Sequence, residues 1–101
     1  MYGLQGRMVA KPDRRDALIA LLLEASRAAM PGCRLYLVSE VPSEPDAVAI
    51  TEVWDDRESH QASLQLESVR ALIAKARPLI ASMGAPLELR PVGGQGLDRS
   101  R

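Results

Sequence analysis

Aromatic residues are scarce in this sequence: they make up 3% of its 101 residues, and phenylalanine is absent. A chain of this length forms one domain. Its core must therefore consist of aliphatic side chains and alanine, and such a small core leaves little apolar surface buried. A second copy of the chain would help it to bury enough.

Cysteine, excess charge and long apolar runs are also lacking. The single cysteine, Cys33, excludes an internal disulfide framework, so a reducing cytoplasm is the expected location. Lys and Arg total 13 and Asp and Glu total 13, and this balance argues against a nucleic-acid partner. The longest apolar run, 17–23, is too short to span a bilayer, and the N-terminus has no signal-peptide pattern. We expect a small soluble protein with no nucleic-acid and no membrane partner.

The stretch 47–60 changes from a strand pattern to a helix pattern. It begins as an alternating, β-branched run, which is typical of a half-buried strand. Asp55 and Glu58 then have the spacing of a capping box, which predicts a helix that starts next to Trp54. The only tryptophan and the only histidine of the chain, Trp54 and His60, therefore lie on either side of one strand-to-helix junction.

One face of this strand carries a carboxylate among bulky apolar side chains. Because side chains alternate along a strand, that face presents Val48, Ile50, Glu52 and Trp54. A carboxylate in such company needs either a pocket or an exposed strand end. Histidine changes charge near neutral pH and is suited to proton transfer. We therefore take His60 as the first candidate for a catalytic proton acceptor and Glu52 as the alternative.

The rest of the chain completes a β-α-β-β-α-β order. The pattern predicts strands at 3–11, 33–41, 47–54 and 87–92, and helices from Asp13 to about Ala29 and over roughly 56–81, with a bend near 64–67. Right-handed crossovers then give an α+β, ferredoxin-like fold, an antiparallel sheet with both helices on one face. We expect this domain to cover 1–92 and a flexible tail to cover 93–101. The bare sheet face predicts a homodimer.

Short motifs spread over nearly the whole chain carry a family resemblance. They are Pro31-Gly32-Cys33 followed by Tyr36, Glu52-Val53-Trp54, Ser59-His60-Gln61-Ala62-Ser63-Leu64, Arg77-Pro78-Leu79-Ile80 and Pro91-Val92-Gly93-Gly94. In this order they resemble the antibiotic biosynthesis monooxygenase (ABM) family of small dimeric α+β barrels. The resemblance implies a pocket in each subunit between sheet and helices, and two sheets packed face to face.

The resemblance also implies a chemistry. In members that are enzymes, a phenolic or hydroquinone substrate loses a proton, and its anion reacts with dioxygen without flavin, haem or metal. This sequence has no dinucleotide-binding loop and no His, Cys and carboxylate cluster at metal spacing. The histidine of haem-degrading members falls near Ile73, so we expect no haem. We predict a cofactor-independent monooxygenase whose partners are dioxygen and a small quinol-like or anthrone-like molecule.

Five residues are candidates for substrate contact. Trp54 is expected to line the pocket, and Tyr36 either offers its hydroxyl to a quinol or hydrogen-bonds at the dimer interface. Arg7 either orients an anionic substrate or lies on the surface. The resemblance places a histidine near Ser63 in many members and an asparagine near Ile50 in the anthrone-oxidising type, so a catalytic pair cannot be carried over to these residues. Both are retained as substrate-binding candidates.

Two other classes of function stay open. The same fold can serve as a non-enzymatic small-ligand binder or regulatory dimer, or as an isomerase or decarboxylase that needs only a proton shuttle. A pocket that holds His60 and Glu52 together favours proton chemistry. A pocket lined only by Leu, Val, Ala and Trp54 favours binding.

Overall fold

A computed structural model of the chain describes residues 1–97. Of the predicted tail, residues 98–101 lie outside the described residues. A 3-10 turn, Arg77–Leu79, follows the last helix. The strands are β1 (Tyr2–Ala10), β2 (Cys33–Glu40), β3 (Ala47–Trp54), β4 (Ile80–Met83) and β5 (Leu87–Leu89), and the helices are α1 (Arg15–Ser26), α2 (Arg57–Ser63) and α3 (Glu67–Ala76).

The sheet has the strand order β2-β3-β1-β4, and each neighbouring pair is antiparallel. The two short strands share the remaining edge of β1. β4 pairs with its C-terminal end, from Met8 to Ala10, and β5 pairs with its N-terminal end, from Gly3 to Gln5. The predicted α+β, ferredoxin-like class is confirmed. Within residues 1–97, no helix is long and apolar enough to cross a membrane.

The core lies between one face of the sheet and the helices α1 and α3. Leu18 of α1 and Val48 of β3 are completely buried, and they pack with Ala10 of β1 and Ala76 of α3. Burial of a leucine side chain contributes about 2 kcal/mol, so a few such contacts hold the helices on this face. The core is aliphatic and alanine-rich, as the composition predicts.

The first helix is shorter than predicted. Asp13 is not its N-cap: this residue adopts a left-handed backbone conformation with φ 64°, which aspartate tolerates better than most residues. Arg14 occupies the position just before the helix, and its backbone N–H donates a hydrogen bond to the carbonyl of Lys11. The helix then begins at Arg15 and ends at Ser26, before the predicted end near Ala29.

The second helical region divides where the bend is predicted, between Ser63 and Glu67. Its cap differs from the prediction by one residue. Asp56, not Asp55, caps α2 by accepting a hydrogen bond of 2.8 Å from the backbone N–H of Ser59. Asp55 instead accepts a hydrogen bond of 2.6 Å from Nε of Arg34.

The end of the chain also differs from the prediction. Residues 80–81, at the end of the predicted helical region, instead begin β4 (Ile80–Met83), which pairs with the end of β1. The strand predicted over 87–92 ends at Leu89, so Pro91 lies outside it. Pro78 lacks the N–H that a continuing helix would need, which is consistent with the change from helix to strand at this point.

Candidate functional site

A cavity of about 200 Å³ lies between the helix-covered face of the sheet and the helices. Most of its wall is aliphatic, and its polar side chains come from β2, β3 and α2. The lining residues are Met8, Leu21, Leu22, Ala25, Met30, Tyr36, Ile50, Glu52, Trp54, His60, Ser63, Leu64, Val69, Leu72, Ile73 and Ala76. An apolar pocket with a few polar groups is the usual form of a small-molecule site.

The alternation of β3 supplies the floor of the cavity. Ile50, Glu52 and Trp54 all project from the face that the helices cover. α2 follows β3 directly and packs against it, which brings His60 above the strand that precedes it. The predicted junction therefore forms the polar part of the cavity.

One carboxylate oxygen is shared by two ring systems. Oε1 of Glu52 accepts a hydrogen bond of 3.0 Å from Nε1 of Trp54, and Nε2 of His60 lies 3.9 Å from the same oxygen. The second distance is too long for a hydrogen bond but short enough for Coulomb attraction when the imidazole is charged. Both side chains are about four-fifths buried, with 20% and 18% of Glu52 and His60 exposed. No protein group among residues 1–97 donates to Oε2 of Glu52.

The imidazole of His60 contacts two other rings. Its imidazole lies 5.5 Å from the Trp54 ring in an edge-on arrangement, and 5.8 Å from the Tyr2 ring, centroid to centroid. These distances are within the range of favourable aromatic contacts. Trp54 itself is 1% exposed. The tryptophan thus orients the carboxylate through its N–H and the imidazole through its ring.

Tyr36 faces this group from the neighbouring strand. It lies directly opposite Glu52 in the β2–β3 pairing and lines the cavity. Burial, followed by the negative charge of Glu52 and a smaller effect of Cys33, raises the pKa of Tyr36 to about 12. The phenol therefore keeps its proton at neutral pH, and it can donate a hydrogen bond to an oxygen of a molecule in the cavity.

The thiol of Cys33 does not have the properties of a reactive nucleophile. Burial, and then the charge of Glu52, raise its pKa, while a contact with the carbonyl of Leu35 lowers it slightly. A thiol is a nucleophile mainly as the thiolate. This cysteine therefore acts as a half-buried hydrophobic side chain.

Gly32 lets α2 approach the sheet. Its φ is 85°, and a Cβ built on it would lie 2.5 Å from Oγ of Ser59. Its carbonyl accepts a hydrogen bond of 2.8 Å from the N–H of Asp55, which ties the loop before β2 to the end of β3. Any larger residue would push α2 away and would displace His60, one residue after Ser59.

Six of the seven residues proposed from the sequence line this one cavity; besides those above, they include Ile50 and Ser63. Ser63 is 4% exposed, and its hydroxyl donates a hydrogen bond of 2.6 Å to the carbonyl of His60, so it is already occupied within α2. Arg7 is not in the cavity. Side chains alternate along β1, so Arg7 lies with Gln5 on the face of the sheet opposite the cavity. There it forms an ion pair with Glu44.

Tyr2 is the contact that the sequence prediction missed. It lies opposite Trp54 in the β1–β3 pairing, which explains why it reaches His60. A prediction of the antiparallel register between the first and third strands would have placed Tyr2 next to Trp54. In the part of the chain that the structure describes, no group of three or more His, Cys, Asp or Glu residues could hold a metal ion.

Comparisons with known proteins agree with the fold. The closely similar structures include a Chloroflexus aurantiacus protein that carries the provisional name of an antibiotic biosynthesis monooxygenase. It is 55% identical, with a TM-score of 0.91, and the match covers 95% of this chain and 97% of that one. A Deinococcus radiodurans protein with the same provisional name is 28% identical, with a TM-score of 0.79 and coverage of 93% and 95%.

A more distant protein from Nitrosomonas europaea shares the fold alone, with 13% identity, a TM-score of 0.79 and coverage of 92% of this chain and 100% of that one. Among curated proteins, none matches this chain. The family model described as antibiotic biosynthesis monooxygenase matches residues 1–75. The chain therefore belongs to the antibiotic biosynthesis monooxygenase family.

Proposed function

We propose that the cavity is the active site of a cofactor-independent monooxygenase that oxidises a small quinol with dioxygen. The observation that carries the proposal is the proximity of Glu52 and His60 in a mostly apolar cavity. A cavity built only for apolar binding would have no need of a carboxylate that is about four-fifths buried, because such a group is costly to desolvate. A role in accepting a proton from the substrate explains why the carboxylate is there.

The first step is removal of a phenolic proton. Trp54 occupies Oε1 of Glu52, so Oε2 is the atom that is left to accept a hydrogen bond from the hydroxyl of a substrate. His60 next to Oε1 stabilises the carboxylate when charged and can take up the proton from it. Because Nε2 of His60 lies 3.9 Å from Oε1 of Glu52, we take the pair as the proton acceptor. Tyr36 keeps its own proton and can donate to the oxygen on which negative charge develops.

The second step joins the anion to dioxygen. The quinol anion gives an electron to dioxygen, and the two radicals combine to form a carbon–oxygen bond, with a hydroperoxide as the product. Loss of the ring proton at that carbon and cleavage of the O–O bond then release water. The balance is hydroquinone plus dioxygen giving hydroxyquinone plus water. One oxygen atom enters the ring, the other becomes water, and the substrate supplies all four electrons.

The volume of the cavity favours a substrate with one ring. A cavity of about 150 Å³ accommodates benzene, and this one measures about 200 Å³. A hydroquinone with small substituents fits that space, whereas a three-ring anthrone would have to extend through the opening or displace α3. We therefore favour a monocyclic quinol within the broader class that the sequence suggests.

An oxygen electrode tests the proposal. We expect the protein to consume dioxygen with methylhydroquinone faster than the spontaneous oxidation, and Glu52→Gln to reduce that excess about a hundredfold. Trp54 is the only tryptophan, so its fluorescence reports binding independently. Fluorescence quenching by a panel of quinols with no excess oxygen uptake would contradict the monooxygenase and favour a ligand-binding role. Conversion of a bound quinol without oxygen uptake would favour an isomerase or decarboxylase.

A further inference from the structure

The His60 imidazole has little support from its own helix. α2 has only seven residues, and the backbone N–H of His60 reaches the carbonyl of Asp56 across 3.5 Å, at the long limit for a hydrogen bond. The orientation of this ring therefore depends on what touches its side chain. Those contacts come from the sheet, through the rings of Tyr2 and Trp54.

The ring of Tyr2 is in turn contacted by Arg57. The guanidinium carbon of Arg57 lies 4.9 Å from the centroid of the Tyr2 ring, a cation–π contact. The same guanidinium pairs with the carboxylate of Glu88 on β5. Because β5 is hydrogen-bonded to β1, Arg57 connects the first turn of α2 to the edge of the sheet. The contacts thus run in one series from Glu88 to Arg57, Tyr2 and His60.

We propose that Tyr2, fixed by Arg57, is a positioning residue that holds the His60 imidazole against Glu52. The proposal rests on the proposed function, since the value of this orientation is in proton transfer by the pair. Trp54 also contacts the imidazole, but it orients Glu52 as well, so a substitution of Trp54 would change both groups at once. Without the Tyr2 ring, the imidazole loses one of its two ring contacts and can rotate away from the carboxylate.

The charged and titratable groups around His60 come from four elements. Glu52 faces it from β3, Tyr2 from β1, Arg57 from its own helix, and Glu88 stands behind Arg57 on β5. Of the two carboxylates, Glu52 alone lies within 4 Å of an imidazole nitrogen. If the Tyr2 contact is lost and the imidazole rotates, its distance to Glu52 changes.

The experiment compares Tyr2→Leu, Tyr2→Phe and Arg57→Gln with the wild-type protein, and uses Glu58→Gln on the same helix as the control for a lost charge. The histidine is unique, so its imidazole signals in an NMR spectrum need no assignment by mutation. We expect Tyr2→Leu to abolish cross-peaks between the imidazole and the Trp54 ring and to lower kcat by about ten- to a hundredfold, with KM changed less than threefold. Tyr2→Phe keeps the ring and should behave as the wild type.

Arg57→Gln should weaken the same cross-peaks and lower kcat severalfold, and Glu58→Gln should do neither. Unchanged cross-peaks and kcat in Tyr2→Leu would overturn the proposal. If Tyr2→Leu fails to fold, the Arg57→Gln variant tests the proposal instead. Changes in cross-peaks and kcat no larger than those of Glu58→Gln would contradict the positioning role of Tyr2. If the wild-type protein oxidises no quinol, the NMR arm still tests the positioning, and the failure then belongs to the proposed function alone.

Discussion

The indole N–H of Trp54 donates to Oε1 of Glu52, the residue two positions earlier on the same strand, across 3.0 Å. A strand places such a pair on one face, so the contact is local in sequence and rigid in the fold. It fixes the carboxylate and leaves its other oxygen for a molecule in the cavity.

Trp54→Phe tests this contact because it keeps an aromatic ring and removes the donor. We expect kcat to fall about tenfold, because the carboxylate loses the group that orients it, and KM to change less than threefold. An unchanged kcat would show that the N–H does not position the carboxylate.

Glu52 and His60 should behave as one unit. Glu52→Gln keeps the shape and still accepts from Trp54, but cannot accept a proton, whereas His60→Ala removes the imidazole. Each should lower turnover about a hundredfold. The double variant should lose little more than either single variant, because residues that act together are not additive. Multiplied losses in the double variant, or an unchanged rate in His60→Ala, would assign separate roles or move the proton transfer to Glu52 alone.

Tyr36 should make the protein less stable in alkali. Its pKa is raised from 10.0 to about 12 by folding, so its contribution to stability is complete below pH 10 and is lost as pH rises toward 12. The expected loss of unfolding free energy is about 2 kcal/mol. Urea unfolding at a series of pH values measures it, and Tyr36→Phe is the control. A Tyr36→Phe variant with the same alkaline decline as the wild type would assign that decline to other groups.

The uncovered face of the sheet should join two copies of the chain. Leu37, Leu87 and Leu89 lie on this face and are 49%, 58% and 37% exposed. We expect a homodimer in light scattering at micromolar concentration, and a monomer for Leu37→Glu. Leu23→Glu is the matched control, because Leu23 is 42% exposed on α1 and lies away from this face. A folded wild-type monomer, or equal effects of the two substitutions, would contradict this interface.

The fold and the polar part of the cavity could be predicted because their causes are local. Glu52 and Trp54 share a face by the strand period, and His60 follows them within one turn of helix. What could not be predicted depends on pairing between distant segments. Asp55 and Asp56 look alike as caps, and only the contact of Asp55 with Arg34 decides between them.

The same reason explains two further differences. Residues 80–81 end a predicted helical region, and the pairing of β4 with β1 makes them part of a strand. Tyr2 lay outside the first strand predicted over 3–11, and the β1–β3 register places it opposite Trp54. Arg7 shows the reverse case, since its place on the other face already followed from the strand period.

Isotopically labelled dioxygen provides the most direct test of the central claim, that proton removal at Glu52 and His60 lets a bound quinol react with dioxygen. With wild-type protein and methylhydroquinone, mass spectrometry should find one labelled oxygen atom in the hydroxyquinone product and the other in water. The Glu52→Gln variant should form this product about a hundredfold more slowly. A product without label, or labelled product formed equally fast by wild type and Glu52→Gln, would contradict the account.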